Sequence, residues 1–245
     1  MPEGDTIYGA ARRIRAALVG REIASIETPH GRFARDRWPE RLSGRAVRAV
    51  DSKGKHLFIR FEGDLTLHSH LRMNGWWGVY ERGRRWGKAP SRAWLVIRTA
   101  EHEVVQFGGP VLELMTDSRS RFDHRIARLG PDILADEFDD AAFLRRLRED
   151  DPTRGIGNLW KAEACFLAGL DPWKPVGELS DERALAAVHA ARPSMLCSAH
   201  GGGHVREPWV FERHGRPCRR CGTMIRARGQ GDDNRTTYWC PSCQA

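Results

Sequence analysis

Lysine is scarce in this sequence of 245 residues, which holds five lysines beside 35 arginines. Chemistry that needs a side-chain primary amine therefore has few candidates, whereas arginine binds phosphates well. No apolar run approaches the roughly 20 residues needed to span a bilayer, and the start MPEGDTIYGAARRIR lacks the apolar core of a signal peptide. These absences predict a protein with no membrane association, soluble and cytoplasmic. The 40% of hydrophobic residues excludes global disorder.

The formal charge of +8 is unevenly distributed along the chain. Residues 1–100 carry a net charge of +10, residues 101–203 a net charge of −6, and residues 204–245 a net charge of +4. Two basic ends around an acidic middle indicate two surfaces that could share one polyanion. The alternative is a solvated surface with accidental clustering, and the arginine excess can also reflect genome composition.

Four of the six cysteines have the spacing C-x2-C-x18-C-x2-C, typical of a four-thiolate zinc site: Cys218, Cys221, Cys240 and Cys243. Disulfides are the alternative, but they are rare inside cells. Because four protein ligands close the coordination shell, the prediction is one structural Zn²⁺. Cys165 and Cys197 stand apart and are predicted to be small buried hydrophobes.

Apolar periodicity predicts an α+β protein with two domains. Helical spacing runs from Ile7 to Leu18, and Gly20 is a plausible end. Eight short strands follow, typical of a sandwich or barrel, at 22–28, 45–51, 55–61, 65–72, 76–81, 93–99, 103–107 and 111–115. Helices are then predicted over 121–129, 140–149, 158–168 and 181–191. The expected divisions are 1–117 for an N-terminal helix plus β-domain, 118–203 for a helical domain and 204–245 for a cysteine hairpin.

The first residues could supply a nucleophile. Removal of Met1 before a small residue would leave Pro2 as the N-terminus, with a secondary amine whose pKa lies near the α-amino value of roughly 8. Beside the carboxylate of Glu3, this amine could attack a sugar carbon at the aldehyde level and form a Schiff base. The alternative is a protein that merely starts with Met-Pro.

Four separated motifs follow one another along the chain: PEG at 2–4, Gly54-Lys55 opening a strand, GIGN at 155–158 with the helix after it, and the cysteine hairpin at 218–244. With these motifs the chain resembles the formamidopyrimidine-DNA glycosylase and endonuclease VIII family of base-excision repair enzymes. The resemblance implies an eight-stranded β-sandwich behind the N-terminal helix, a helix–two-turn–helix domain and a zinc-finger β-hairpin. The start PEGD is closer to the endonuclease VIII side.

The resemblance also implies catalytic roles. Pro2 would attack C1′ of the damaged nucleoside, Glu3 would transfer protons to the sugar, and Lys55 would contact DNA phosphate and assist catalysis. A solvent-facing strand lysine is the alternative interpretation of Lys55.

Further matched residues would bind DNA. Asn158 at a helix start would hold a phosphate oxygen, or could serve only as an N-cap, and Arg235 would reach the backbone at the lesion. Base extrusion leaves a gap to be filled, and the matching loop offers Met73, flanked by Arg72 and Asn74. Phe107 could be a second wedge. Met73 could equally be a core residue.

Two departures from the family pattern stand out. Val105 occupies the position where the formamidopyrimidine branch has an arginine, which favours oxidised pyrimidines over purine lesions. About one helix is also missing before Gly155, where family members have the first helix of the helix–two-turn–helix. Either the protein lacks this half of its DNA-binding motif, or the sequence omits a stretch. The prediction is a bifunctional DNA glycosylase and AP lyase, a monomer acting on damaged double-stranded DNA. The alternatives are a catalytically silent DNA-binding relative and a zinc-ribbon module that binds RNA or protein.

Overall fold

The structure is a computed structural model that describes residues 2–149, 156–201 and 207–244. The chain forms two compact units, Met1–Arg128 and Leu129–Ala245. The finer division at residues 117 and 203 stays a prediction.

The first unit contains two four-stranded antiparallel sheets. Their strands are β1 Ser25–Glu27, β2 Val47–Lys53, β3 His56–Phe61, β4 Leu65–His70, β5 Trp76–Glu81, β6 Ala93–Arg98, β7 His102–Phe107 and β8 Val111–Thr116. One sheet has the order β2-β3-β4-β8 and the other the order β1-β6-β7-β5. All eight predicted strands form, with small shifts of their ends, so the predicted N-terminal helix plus eight-stranded β-sandwich is confirmed.

Helix α1, Gly4–Leu18, places the N-terminus against this sandwich. Its apolar residues recur at helical spacing, and Ile7, Ile14 and Leu18 are almost completely buried. The helix contacts β2 and β3 of one sheet and β5 and β7 of the other. Glu3 is the N-cap residue, so the start of the chain is fixed relative to both sheets. The unit also contains three short α-helices, α2 Trp38–Leu42, α3 Asp117–Phe122 and α4 His124–Ala127, and two 3-10 helices, Gly31–Asp36 and Pro90–Arg92.

In the described part of the second unit there are three α-helices, one short 3-10 helix (Val176–Glu178) and a hairpin: α5 Asp140–Arg148, α6 Asn158–Leu167, α7 Asp181–His200, β9 Arg226–Gln230 and β10 Arg235–Trp239. The predicted end of α7 at residue 191 is wrong. The helix continues through Pro193, and Met195 and Ala199 extend its buried stripe. The predicted helix 121–129 is instead α3 and α4, separated by Asp123, which caps α4.

The expected gap before Gly155 lies outside the described residues, which resume at Ile156. Across 140–149 and 156–167 the structure describes α5 and α6 alone. None of the helices it describes is long and apolar enough to cross a membrane.

Candidate active site and DNA-binding residues

Strand register brings the predicted catalytic and wedge segments to one end of the first unit. His56, which opens β3, pairs with His70, which closes β4, so the Gly54-Lys55 turn and the loop after His70 lie at the same end of that sheet. Trp76 resumes the chain in the other sheet and pairs with Phe107. These segments are far apart in the sequence, but the strand ends that carry them lie at the same end of the sandwich.

The predicted catalytic residues Glu3 and Lys55 are in direct contact. Glu3 Oε2 lies 3.1 Å from Lys55 Nζ, and the Glu3 side chain is 3% exposed. A Cβ on Gly4 would stand 3.5 Å from the carbonyl oxygen of Gly54, so the start of α1 packs closely on the hairpin turn. Gly54 has φ +56°, a left-handed conformation that favours glycine. Pro2 is partly exposed and precedes this ion pair.

The loop between β4 and β5 presents the three predicted wedge residues to solvent. Arg72, Met73 and Asn74 are exposed between the buried residues Leu71 and Gly75, and Met73 is 60% exposed. Arg72 has φ +52°, a conformation that is costly for a long side chain. Any Cβ on Gly75 would fall 2.8 Å from the Leu71 carbonyl oxygen, so a side chain there would displace the turn. Met73 is therefore not a core methionine.

Phe107 differs from this loop because it is 1% exposed. Its ring lies edge-to-face with Trp86, at a centroid distance of 6.0 Å, in an apolar cluster with Val96 and Val105. A residue that fills a gap in DNA must reach solvent. Of the two predicted wedges, the structure therefore presents Met73 and covers Phe107.

Three histidines beside Lys55 form a cluster. The spacing of His68 and His70 places them on one strand face as structural residues, but the sequence does not predict their contacts with His56 and Glu113. His56 Nδ1 lies 2.8 Å from His68 Nε2, and the two rings stack at 5.1 Å. His70 packs edge-on against His56 and accepts a hydrogen bond from the Arg72 backbone N–H. The sequence shows no acidic partner near His68, but Glu113 Oε2 of β8 lies 3.9 Å from its Nδ1. The signal in the sequence is that His68 and His70 lie two residues apart on one predicted strand and that His56 lies on the strand before it.

Burial keeps these histidines neutral. It lowers the pKa of His56 to about 3 and that of His70 to about 4, with further lowering by neighbouring positive charge. Burial also lowers the pKa of His68. Because one ring must donate and the other accept in the His56–His68 hydrogen bond, protonation of both would break it.

This cluster should make the first unit sensitive to acid. Its unfolded histidines take up protons below about pH 6.5 and the folded ones do not, so the stabilisation is complete above that pH and is lost as the pH falls towards 3–4. Urea unfolding at pH 7 and pH 5 should show His56→Gln losing on the order of 2 kcal/mol of this pH dependence. The exposed His124→Gln is the control, and an unchanged pH dependence in His56→Gln would contradict the assignment.

In the second unit, α6 is hydrogen-bonded to the cysteine hairpin next to Arg235. Asn158 Nδ2 donates to the carbonyl oxygen of Thr236 at 2.8 Å, and Lys161 Nζ donates to Gln230 and Thr237. Gly157 is the N-cap residue, so the alternative interpretation of Asn158 as the N-cap is wrong. Arg235 is exposed at the start of β10. The structure thus brings Asn158 close to the residue that follows Arg235.

The four spaced cysteines converge. Their sulfur atoms all lie within 4.8 Å of one another, with Cys218–Cys243 at 4.0 Å and Cys221–Cys240 at 3.4 Å. These distances exceed the roughly 2.05 Å of a disulfide and fit a tetrahedron with metal–sulfur bonds of about 2.3 Å. The donor set therefore fits a structural zinc.

The remaining two cysteines differ from the prediction that both are buried. Cys197 is exposed on α7, and Cys165 is intermediate. Cys197 lies between the buried positions Met195 and Ala199 of the helix, on its solvent side.

Comparison with known families gives two matches. Residues 1–120 match the formamidopyrimidine-DNA glycosylase N-terminal domain, and residues 215–245 match the zinc finger found in FPG and IleRS. The two matches cover the α1–sandwich unit and the cysteine hairpin.

Individual proteins match over the whole chain. A probable endonuclease 8 2 of Streptomyces coelicolor is 40% identical over 268 positions, covering 100% of this chain and 94% of that protein. A DNA-(apurinic or apyrimidinic site) lyase of Mycolicibacterium smegmatis is 35% identical, covering 100% of this chain and 99% of that one. The fold matches Lactococcus lactis formamidopyrimidine-DNA glycosylase in complex with DNA containing an oxidised pyrimidine, with a TM-score of 0.82, 22% identity and 99% of each chain covered.

Proposed function

Because the chain belongs to the formamidopyrimidine-DNA glycosylase and endonuclease VIII family of DNA glycosylases and AP lyases, we propose that it excises oxidised bases, preferably pyrimidines, through Pro2. The observation that carries this proposal is the ion pair of Glu3 and Lys55, 3.1 Å long, directly after Pro2 and at the same end of the sandwich as the exposed Met73 loop. The proposed partner is damaged double-stranded DNA, bound by a monomer that holds one zinc.

The proposed reaction begins with the free secondary amine of Pro2. Its nitrogen bonds to C1′ as the bond between C1′ and the base breaks, and the base leaves with the electron pair and a proton. Glu3 would shuttle protons to the sugar and support ring opening, which yields an iminium between Pro2 and C1′. Loss of a C2′ proton then eliminates the 3′ phosphate, and a second elimination releases the 5′ phosphate.

Lys55 would interact both with Glu3 and with the DNA. Its ammonium stabilises the charged form of the buried Glu3, since an unpaired carboxylate at 3% exposure would be strongly disfavoured. Lys55 is itself 26% exposed and can therefore also reach a DNA phosphate. Arg72, Met73 and Asn74 are the proposed wedge residues, and Asn158 and Arg235 are proposed to hold the DNA backbone.

The preference for pyrimidines has three supports. The sequence begins PEGD, Val105 replaces the arginine of the formamidopyrimidine branch, and the relatives matched over the whole chain include endonuclease 8 proteins. Because valine is uncharged and Val105 is completely buried, this position contributes no charged group to the site.

A borohydride trapping panel tests this function. Duplexes containing an oxidised pyrimidine, an oxidised purine, an AP site or no lesion are incubated with the protein and cyanoborohydride, and the covalent adduct is quantified. The expected order is AP site and oxidised pyrimidine above oxidised purine, with none on undamaged DNA. Equal or faster trapping on the purine lesion would overturn the preference.

One observation favours the silent DNA-binding alternative. The Streptomyces alignment extends over 268 positions although this chain has 245 residues, so the chain is shorter than its relative in at least one segment. That alternative predicts salt-sensitive binding of DNA with no adduct on any member of the panel.

A further inference from the structure

A basic loop crosses the outer face of the second sheet of the first unit. Residues 82–92, here called the crossing loop, contain Arg82, Arg84, Arg85, Lys88 and Arg92 and no acidic residue. A charged surface loop is usually only a solvated connection. Three features indicate a binding role for this loop: it is fixed to the sheet, it ends near the proposed active site, and several of its cations have no carboxylate partner.

Aromatic residues hold the crossing loop in place. Trp86 stacks on Tyr80 and meets Phe107 edge-on, and its indole N–H donates to Glu103 Oε2 at 2.7 Å. The Gly87 backbone N–H donates to the Tyr80 hydroxyl at 3.1 Å. A loop fixed in this way presents its cations without the entropic cost of ordering a free segment on binding.

The register of the sheet brings the end of the loop to the proposed active-site end of the sandwich. The loop leaves β5 at Glu81, which pairs with His102, and enters β6 at Ala93, which pairs with Phe107. It therefore runs the length of the sheet towards the end where Trp76 begins β5. Lys88 Nζ lies 5.6 Å from the ring centroid of Trp76, two residues after Asn74 of the wedge loop.

Three cations of the crossing loop are available to a ligand. Arg82 donates to the Thr99 carbonyl oxygen, and Arg84 pairs with Glu81. Arg85 and Arg92 are exposed, Lys88 is partly exposed, and none of these three forms an ion pair with any residue in the part of the chain that the structure describes. Fixed cations without carboxylate partners match the phosphates of a nucleic acid backbone.

We propose that the crossing loop binds the phosphate backbone of duplex DNA beside the lesion, through Arg85, Lys88 and Arg92. This inference rests on the proposed function for its ligand, since the loop ends next to the wedge residues that would enter the same duplex. The contact positions DNA and reads no sequence, because the cations meet phosphates and not base edges.

Salt dependence of binding tests the proposal. The double variant Arg85→Gln/Arg92→Gln and wild type are titrated with a fluorescent undamaged duplex and a lesion duplex over a range of salt concentrations. Each lost phosphate contact lowers the slope of log K against log salt by about 0.9, so the slope should fall by up to about 1.8. Affinity at low salt should fall roughly tenfold on both duplexes.

The control removes the same charge elsewhere on the unit. Arg37→Gln/Arg41→Gln changes two exposed arginines, the N-cap residue of α2 and a residue within it. Helix α2 packs on β1, at the edge of the sheet opposite β5, so this control should leave the slope at its wild-type value. A wild-type slope in the loop variant, or an equal change in the control, would overturn the proposal. An acidic protein is the alternative ligand. If wild type binds a polyglutamate peptide, the loop variant does not, and the salt slope for DNA is the same in both, the proposal is also overturned. Binding of undamaged duplex does not depend on catalysis. Absence of trapping by wild type would therefore refute the proposed function and leave the proposed phosphate contact of the crossing loop to be decided by the salt slope.

Discussion

An N-terminal extension that converts the Pro2 nitrogen into an amide should abolish borohydride capture of lesion DNA, a loss on the order of 10³-fold or more. Resonance with a carbonyl withdraws the lone pair that must attack C1′. Quantitative trapping on an AP-site duplex measures this loss, and mass spectrometry of the wild type should find Met1 removed. Binding of undamaged duplex should be retained, because no residue of the proposed DNA contacts has changed.

Two variants make this result specific to Pro2. Pro2→Gly keeps a terminal amine and should trap more slowly, not lose trapping. If the extended protein traps at the wild-type rate, another amine is the nucleophile, and Lys55 is the first candidate because it contacts Glu3. Trapping of the extended protein that is lost on Lys55→Gln would then reassign the chemistry to Lys55.

The residues that could be predicted from sequence lie in patterns that local spacing dictates. The alternation of the strands, the stripe of α1 and the paired C-x-x-C turns depend on near neighbours in the chain, and all of them form as predicted. The two C-x-x-C pairs are far apart in the chain, and their spacing also predicts correctly that the four cysteines meet. PEG and Gly54-Lys55 are separate motifs in the sequence, and the contact between Glu3 and Lys55 joins them in the structure.

The features that escaped prediction depend on register and on tertiary cover. His56, His68 and His70 meet because β3 and β4 pair with His56 opposite His70, which no local pattern specifies. Phe107 has the large apolar side chain that a wedge needs, but Trp86 from the crossing loop covers it. Proline normally ends a helix, but α7 continues past Pro193 because Met195 and other residues beyond it are buried.

Removal of the zinc should unfold the hairpin and abolish tight DNA binding. Structural zinc contributes about 10–16 kcal/mol of folding free energy in zinc-finger peptides. Here the buried ligands Cys218 and Cys240 belong to one apolar cluster with Phe166 and Val210, so the metal also supports the packing of α6. Since Asn158 at the start of α6 is bonded to Thr236, loss of the hairpin would release both proposed backbone contacts, Asn158 and Arg235.

Cys240→Ala is the corresponding variant, and the exposed Cys197→Ala is its control because Cys197 lies outside the four-cysteine cluster. Elemental analysis should find one zinc per chain in wild type and control and less in Cys240→Ala. Titration with undamaged duplex should show a loss of affinity of at least tenfold, with tryptophan fluorescence reporting exposure of Trp209, which stacks on Phe166. Full zinc content and wild-type affinity in Cys240→Ala would contradict the four-thiolate site. A chelated wild type that regains affinity with Zn²⁺ but not with Mg²⁺ would identify sulfur-preferring metal as the cause, since Mg²⁺ requires oxygen ligands.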